Sequence, residues 1–245
     1  MADTNAETTS THFGAHFFCK ELKKRYRDKR PLKILVAGCG SGHEAFFIHE
    51  KTGAEVHSID VEDFLKVSPE KREQIHFQVG SVCDLPFEEN TFDAVFYYHV
   101  IEHVIVDGDD RSQESLQEIG RVTRNDGWVF IGTPNRSRLL SSLGAHRQSE
   151  WNPTIWNKIF DNLRDWKDRL VGRFHNRFGA HAGFTTGELN EMTSRVFGRR
   201  EWVTQKYIRQ KYADHRLNFF INWMTMFPFC FVTAPSIYVW CRNSK

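Results

Sequence analysis

The stretch LVAGCGSGHE, residues Leu35 to Glu44, decides the architecture. A short apolar run ends in three glycines spaced two apart, Gly38, Gly40 and Gly42, and an acidic residue follows. An apolar run of this length closed by glycine reads as a buried strand, here Lys33–Ala37. Residues 44–51 then read as a helix with Gly53 past its end. Glycines between strand and helix let the chain turn sharply and let a ligand come close to bare backbone.

The same alternation continues outward. Residues 54–60, 75–79, Phe92–Tyr98 and 128–132 read as strands two to five. A helix is expected over residues 112–124, because Leu116, Ile119 and Val122 share one face. The Asn125-Asp126-Gly127 triplet is a strong turn signal. Strands alternating with helices argue for βαβ units and a parallel sheet. Upstream, residues 17–26 read as a basic amphipathic helix broken at Arg30-Pro31. Downstream, residues 135–183 hold no clear strand, residues 186–197 restore a helix, and residues 202–208 and 237–241 read as two more strands.

Three kinds of ligand compete for the glycine loop. A P-loop ends in Gly-Lys-Ser/Thr because lysine neutralises phosphate. Here His43 and Glu44 follow Gly42, so that reading fails. A dinucleotide fingerprint needs its last glycine one place later, where His43 stands, and Glu44 would face a pyrophosphate. The third option is a nucleoside cofactor without phosphate, such as S-adenosylmethionine. Gly38 and Gly40 permit its close approach. Asp60 closes the second strand about 20 residues after the loop, where a carboxylate can accept from both ribose hydroxyls.

Further motifs stand in register: SID at 58–60, VGSVCDLPFEENTFDAVFYYHVIEHV at 79–104, and EIGRVTRNDGWVFIGTPNR at 118–136. Together with the loop they resemble a class I S-adenosylmethionine-dependent methyltransferase from Lys33 to Asn135. The resemblance implies an α/β fold, a Rossmann-like doubly wound sheet, mostly parallel with an antiparallel last strand, plus a helical lid insertion. It implies a tail and helix over 1–30 and the methyltransferase domain over 31–245, with the insertion at 136–182. It places Gly38, Cys39, Gly40 and Gly42 on the cofactor, Asp60 on its ribose, and Val61 beside the adenine. Ser81 and Val82 match the pair at the adenine edge. Many relatives carry Asp where this chain has Ser81; a serine hydroxyl accepts more weakly, and Asp84 is the alternative. Tyr98 and His99 match the strand end that borders the methionine part.

Within HVIEHV, His99, Glu102 and His103 fall at i, i+3 and i+4, one face of a helical turn. Three roles remain open. His99 or His103 serves as a general base in the acceptor pocket. The trio binds a divalent metal, as in ubiquinone-pathway O-methyltransferases, which carry a carboxylate at the place of His99; no residue is assigned as a metal ligand. Or Glu102 and His103 brace the turn. His181, in GAHAGFTTGEL, is a further candidate facing the acceptor, and Thr185 or Thr186 caps the helix that follows, with Glu188 in its first turn.

Composition bounds the rest. A length of 245 residues suits one α/β domain with insertions, and 26% charged residues suit a soluble globular chain. A net charge of +2, with no Asn/Asp-Pro-Pro-aromatic motif after FYY, disfavours nucleic acid as acceptor. The five cysteines form no CxxC pair, so no zinc cluster or redox motif is signalled; their odd count without disulfide-like spacing favours a reducing compartment, and the polar N-terminus lacks the apolar core of a signal peptide, so a cytoplasmic location is expected. Residues 154–174 read as an amphipathic helix with Ile155, Ile159, Leu163, Trp166 and Leu170 on one face: a lid, a homodimer contact or a membrane-surface helix, the last disfavoured by mixed charges on the polar face. The apolar tract at 216–235 is broken by Asn218, Asn222, Pro228 and Pro235. It is not read as a transmembrane span; it can wall the acceptor pocket, the favoured role, or touch a bilayer to collect a lipid-linked acceptor.

The expected activity is methyl transfer from S-adenosylmethionine to a small or medium-sized, partly apolar acceptor, at a hydroxyl oxygen. A phenolic or lipid-linked compound is the favoured class, since 14% of residues are aromatic. The alternatives are N-methylation of a small molecule and a cofactor-binding partner subunit without catalysis.

Overall fold

The computed structural model describes residues 12–26, 31–137, 183–213, 218–224, 226 and 229–244. The strands in chain order are β1 (Lys33–Ala37), β2 (Glu55–Asp60), β3 (Phe77–Val79), β4 (Phe92–Tyr98), β5 (Ile105–Val106), β6 (Asp109–Asp110), β7 (Thr123–Pro134), β8 (Arg199–Trp202) and β9 (Ser236–Arg242). The helices are α1 (Phe13–Arg25), α2 (His43–Thr52), α3 (Pro69–Gln74), α4 (Ser112–Val122), α5 (Thr186–Ser194), α6 (Thr204–Lys211), α7 (Asn218–Met224) and α8 (Cys230–Thr233). A single 3₁₀ turn spans Ile101–His103.

Seven strands form one sheet in the order β3-β2-β1-β4-β7-β9-β8, and β5 with β6 makes a small separate hairpin. Neighbours are parallel except at β9, which runs antiparallel to both β7 and β8. The sheet is therefore the expected doubly wound one, with its last strand reversed. Strand order reverses between β1 and β4, and the loops leaving their carboxyl ends diverge to opposite faces. That divergence opens a crevice at this edge.

Period-two alternation sorts the core into two layers. Ala94 and Phe96 of β4 face a cluster with Phe17, Phe18, Phe130 and Trp240, which α1, α2 and α6 cover. Val95 and Tyr97 face the opposite cluster, with Leu116, Ile119, Val129 and Ile131. Continuous apolar strands such as KILVA and FDAVFYY reflect cover on both faces.

The Asn125-Asp126-Gly127 signal takes an unexpected form. It lies inside β7, where pairing with β4 jumps from Phe92↔Thr123 to Ala94↔Trp128, and Asp126 adopts φ 64°. The turn is a bulge that loops out of a continuing strand. The strand expected over 202–208 is a correction: β8 ends at Trp202 and α6 follows. Val203, Thr204, Tyr207 and Ile208 are the buried positions, a helical spacing that the aromatic and β-branched content disguised. Thr185 is the cap of α5. Its side chain accepts from the Glu188 backbone N–H and the Glu188 carboxylate reaches back, a reciprocal capping box. His181 and the helix expected over 154–174 lie outside the described residues.

The apolar tract divides into an inward and an outward part. Cys230 and Ala234 are buried and Ile221 packs on the core, but Phe219, Phe220, Trp223, Met226 and Phe229 are exposed.

Candidate active site

The glycine loop folds as it does because its three glycines all have positive φ: 73° at Gly38, 50° at Gly40 and 78° at Gly42. L-residues pay a steric penalty there. The surroundings divide the three by role. A Cβ at Gly38 would lie 2.3 Å from Val100 Cγ2, and one at Gly42 would lie 2.6 Å from Leu65 Cδ2. Those two glycines let protein pack on protein. A Cβ at Gly40 would meet no heavy atom within 4 Å. Gly40 thus faces an open cradle above the carboxyl end of β1, where a ligand can touch main chain.

Asp60 stands at the rim of that cradle. Its Oδ2 accepts the Gly40 N–H at 2.7 Å and its Oδ1 accepts the Val61 N–H at 2.8 Å. These two bonds fix the carboxylate, and each oxygen keeps a lone pair for a ribose hydroxyl. Gly38 and Cys39 both donate to the Ile59 carbonyl, holding the loop across β2. Cys39 is buried, and its thiol is pushed up to about 12, by burial first and then by Asp60. It is a packing residue there, not a nucleophile.

Beside Asp60, Val61 is 61% exposed, and Phe64 and Val79 are exposed too. Val79 pairs with Asp60 across the strands, so these apolar surfaces gather at one end of β2 and β3. They suit a flat heteroaromatic ring. Val82 is buried. Ser81 sits in a turn that bridges to Asp84, and its Oγ accepts the Cys83 N–H at 3.1 Å. One lone pair of that hydroxyl remains for a ligand. Asp84 is exposed.

Across the crevice, β4 ends at Tyr98 and the next residue, His99, has φ 55°. Left-handed backbone at a histidine is strained and persists where surroundings enforce it. Here the His99 N–H donates to the Gly132 carbonyl at 2.8 Å. The turn expected from His99 begins two residues later, at Ile101. His99 and Glu102 still meet: Nδ1 lies 3.2 Å from Glu102 Oε1. The Glu102 side chain is 2% exposed, against 31% for His99. Its other oxygen, Oε2, accepts from Thr133 Oγ1 at 3.0 Å. The chain Thr133–Glu102–His99 pins the imidazole, places the hydrogen on Nδ1 and leaves Nε2 as the free nitrogen. His103 is exposed on the 3₁₀ turn. Among the described residues, no group of three or more His, Cys, Asp or Glu side chains is placed to hold a metal ion.

Two features of the site escaped sequence reasoning. Thr133 carried no signal, since a threonine at a strand end is ordinary. Glu44, in the first turn of α2, reads as a routine partner of the helix dipole. In the fold the residue is half-buried, its carboxyl near His99 and with a hydrogen bond from the Ala15 backbone. Burial pushes it up to about 7 against the smaller opposing effects of His99 and Ala15. Tyr98 lies alongside, its hydroxyl 2.8 Å from that of Tyr207, whose ring stacks on Tyr238 at 3.7 Å between centroids.

Residues 35–131 match the family model described as a methyltransferase domain. That segment is a methyltransferase domain. Demethylmenaquinone methyltransferase of Streptomyces griseus is 30% identical over 158 residues, 58% of this chain and 65% of that protein. An uncharacterised methyltransferase of Schizosaccharomyces pombe is 26% identical over 240 residues, 89% of this chain and 79% of that one. The chain spans about half the length of several curated relatives it matches. Among solved structures, a Haemonchus contortus phosphoethanolamine N-methyltransferase in complex with S-adenosylhomocysteine aligns with TM-score 0.53 at 15% identity. It covers 98% of this chain and 59% of its own, a likeness of fold. The methyltransferase domain thus has its glycine loop and Asp60 on one side of the crevice and His99 on the other.

Proposed function

We propose that the chain transfers a methyl group from S-adenosylmethionine to a hydroxyl oxygen of a small or medium-sized, partly apolar acceptor. When bound, the cofactor supplies an electrophilic methyl carbon on its sulfonium. The open cradle at Gly40 fits a ligand lying against main chain, and the fixed Asp60 carboxylate fits a ribose diol. Val61 and Phe64 offer apolar surface to the adenine.

The observation that carries the oxygen reading is the His99–Glu102–Thr133 chain. A hydroxyl is a poor nucleophile until it loses its proton. His99 Nε2 accepts that proton, and the buried Glu102 carboxylate stabilises the imidazolium that results. Tyr98 and Tyr238, whose rings lie 4.4 and 6.5 Å from His99, line the same corner with aromatic surface. Nitrogen as acceptor is the second reading, and Glu44 favours it. A carboxyl that changes charge near pH 7 beside His99 can receive a proton from an ammonium.

Calorimetry with S-adenosylhomocysteine and turnover against phenols, alcohols and amines test these readings. Saturable binding with methylated phenol or alcohol is expected. Methylation of amines alone selects the nitrogen reading, binding without turnover selects a partner subunit, and absence of binding removes the proposal. Asp60→Ala should weaken cofactor binding by about 1–3 kcal/mol, the worth of hydrogen bonds to a charged group. Unchanged affinity in the same titration would detach Asp60 from the ribose.

A further inference from the structure

Phe219, Trp223 and Phe229 are 88%, 60% and 61% exposed, and Phe220 and Met226 are exposed with them. Scattered surface hydrophobes are ordinary, but five large ones in one short tract are not. Ile221, Cys230 and Ala234 of the tract pack on the core, and the Phe220 and Trp223 rings lie 6.1 Å apart on its exposed part.

Charge indicates what that surface meets. Between Thr204 and Pro235 the sequence has Lys206, Arg209, Lys211 and Arg216 against Asp214 alone. Helix α7 itself carries no acidic or basic residue in its first or last turn. Arg209 and Lys211 are exposed on α6, and so are Lys20, Lys23 and Lys24 on α1. Lys20 Nζ donates to Gln210 Oε1 at 3.2 Å, which sets Lys20 beside α6, while Lys24 pairs with Glu21 on α1 itself. Exposed Phe and Trp flanked by Lys and Arg is the chemistry of attachment to an anionic bilayer surface. A second copy meeting this face about a two-fold axis would bring like charges together.

We propose that Phe219, Phe220, Trp223, Met226 and Phe229 insert into the interfacial layer of an anionic bilayer, with Arg209, Lys211 and Lys20 against its headgroups. Among the described residues no helix is long and apolar enough to cross a membrane. The surface lies at the catalytic end of the sheet. The Ala234 and Pro235 carbonyls accept from Asn135, and Ser236 pairs with Pro134, the carboxyl end of β7. An apolar acceptor held in the membrane would meet the crevice from that side. This last point rests on the proposed activity, but the attachment itself does not.

Flotation of the full chain with vesicles tests attachment without any methyl transfer. Binding is expected to phosphatidylcholine vesicles containing phosphatidylglycerol, to weaken with added salt, and to be poor on phosphatidylcholine alone. Phe219→Ser combined with Trp223→Ser should lower partitioning roughly tenfold or more. Arg209→Gln combined with Lys211→Gln should erase much of the preference for anionic vesicles while leaving the aromatic surface intact. The proposal is overturned if the wild-type chain does not float, if the aromatic variant floats as well as wild type, or if the charge variant keeps the full anionic preference. Sedimentation velocity without lipid adds a last outcome: a dimer that the Phe219→Ser, Trp223→Ser variant dissociates would assign the face to a second copy and overturn it too.

Discussion

His99→Ala is expected to lower kcat by roughly 10²–10⁴-fold on a hydroxyl acceptor, about 3–5 kcal/mol of barrier, with cofactor affinity nearly unchanged. The split follows from position. His99 lies across the crevice from Gly40 and Asp60, so its loss removes a proton acceptor and leaves the nucleoside side intact. Glu102→Gln should also reduce kcat, because an amide in place of the buried carboxylate stabilises an imidazolium less well. The pH–rate profile separates chemistry from architecture: the limb on which a base must be deprotonated should disappear in His99→Ala. Retention of both rate and limb would mean that proximity alone suffices, as for an amine.

Glu44→Gln should stabilise the protein at pH 8 by up to about 3 kcal/mol and change little at pH 5. The Glu44 carboxyl is raised from 4.5 to about 7 in the fold, chiefly by burial. Between those values the folded chain holds a proton that the unfolded chain releases. Stability therefore falls as pH rises through this window and levels off above it. The groups that bear on Glu44 are His99 and the Ala15 N–H, which favour the charged form, and the Tyr98 and Tyr207 hydroxyls, which feel its charge. A neutral amide avoids the burial cost of the ionised carboxyl. Urea denaturation of both proteins at the two pH values measures the difference; equal gaps at both would rule out a titrating Glu44. A carboxyl kept at such cost beside the strained His99 is the pattern expected where function, not stability, selects the residue.

Much of this was legible in the residues. KILVA before three glycines, and Asp60 closing β2, depend on local backbone demands that only a few residue types meet. Those parts of the fold, and the positions proposed for the nucleoside, followed from the sequence reading. The proposed catalytic side was harder. His99, Glu102 and His103 share one face of an ideal helical turn, yet the left-handed backbone at His99 breaks that turn. Glu102 goes inward and His103 outward, and no spacing argument separates them. Thr133 and Glu44 reach the crevice through tertiary packing, which leaves no periodic trace. At residues 202–208 the β-branched and aromatic side chains suggested a strand, while burial every fourth residue made a helix, because tertiary cover overrode propensity.

The contact between Gly38 and Val100 bears on how acceptor preference can diverge. The two loops interlock with no room for even a methyl group between them. Enlarging Val100 to reshape the acceptor side would push directly on the turn proposed to hold the nucleoside. Drift in substrate range, natural or engineered, is therefore channelled away from that shared partition.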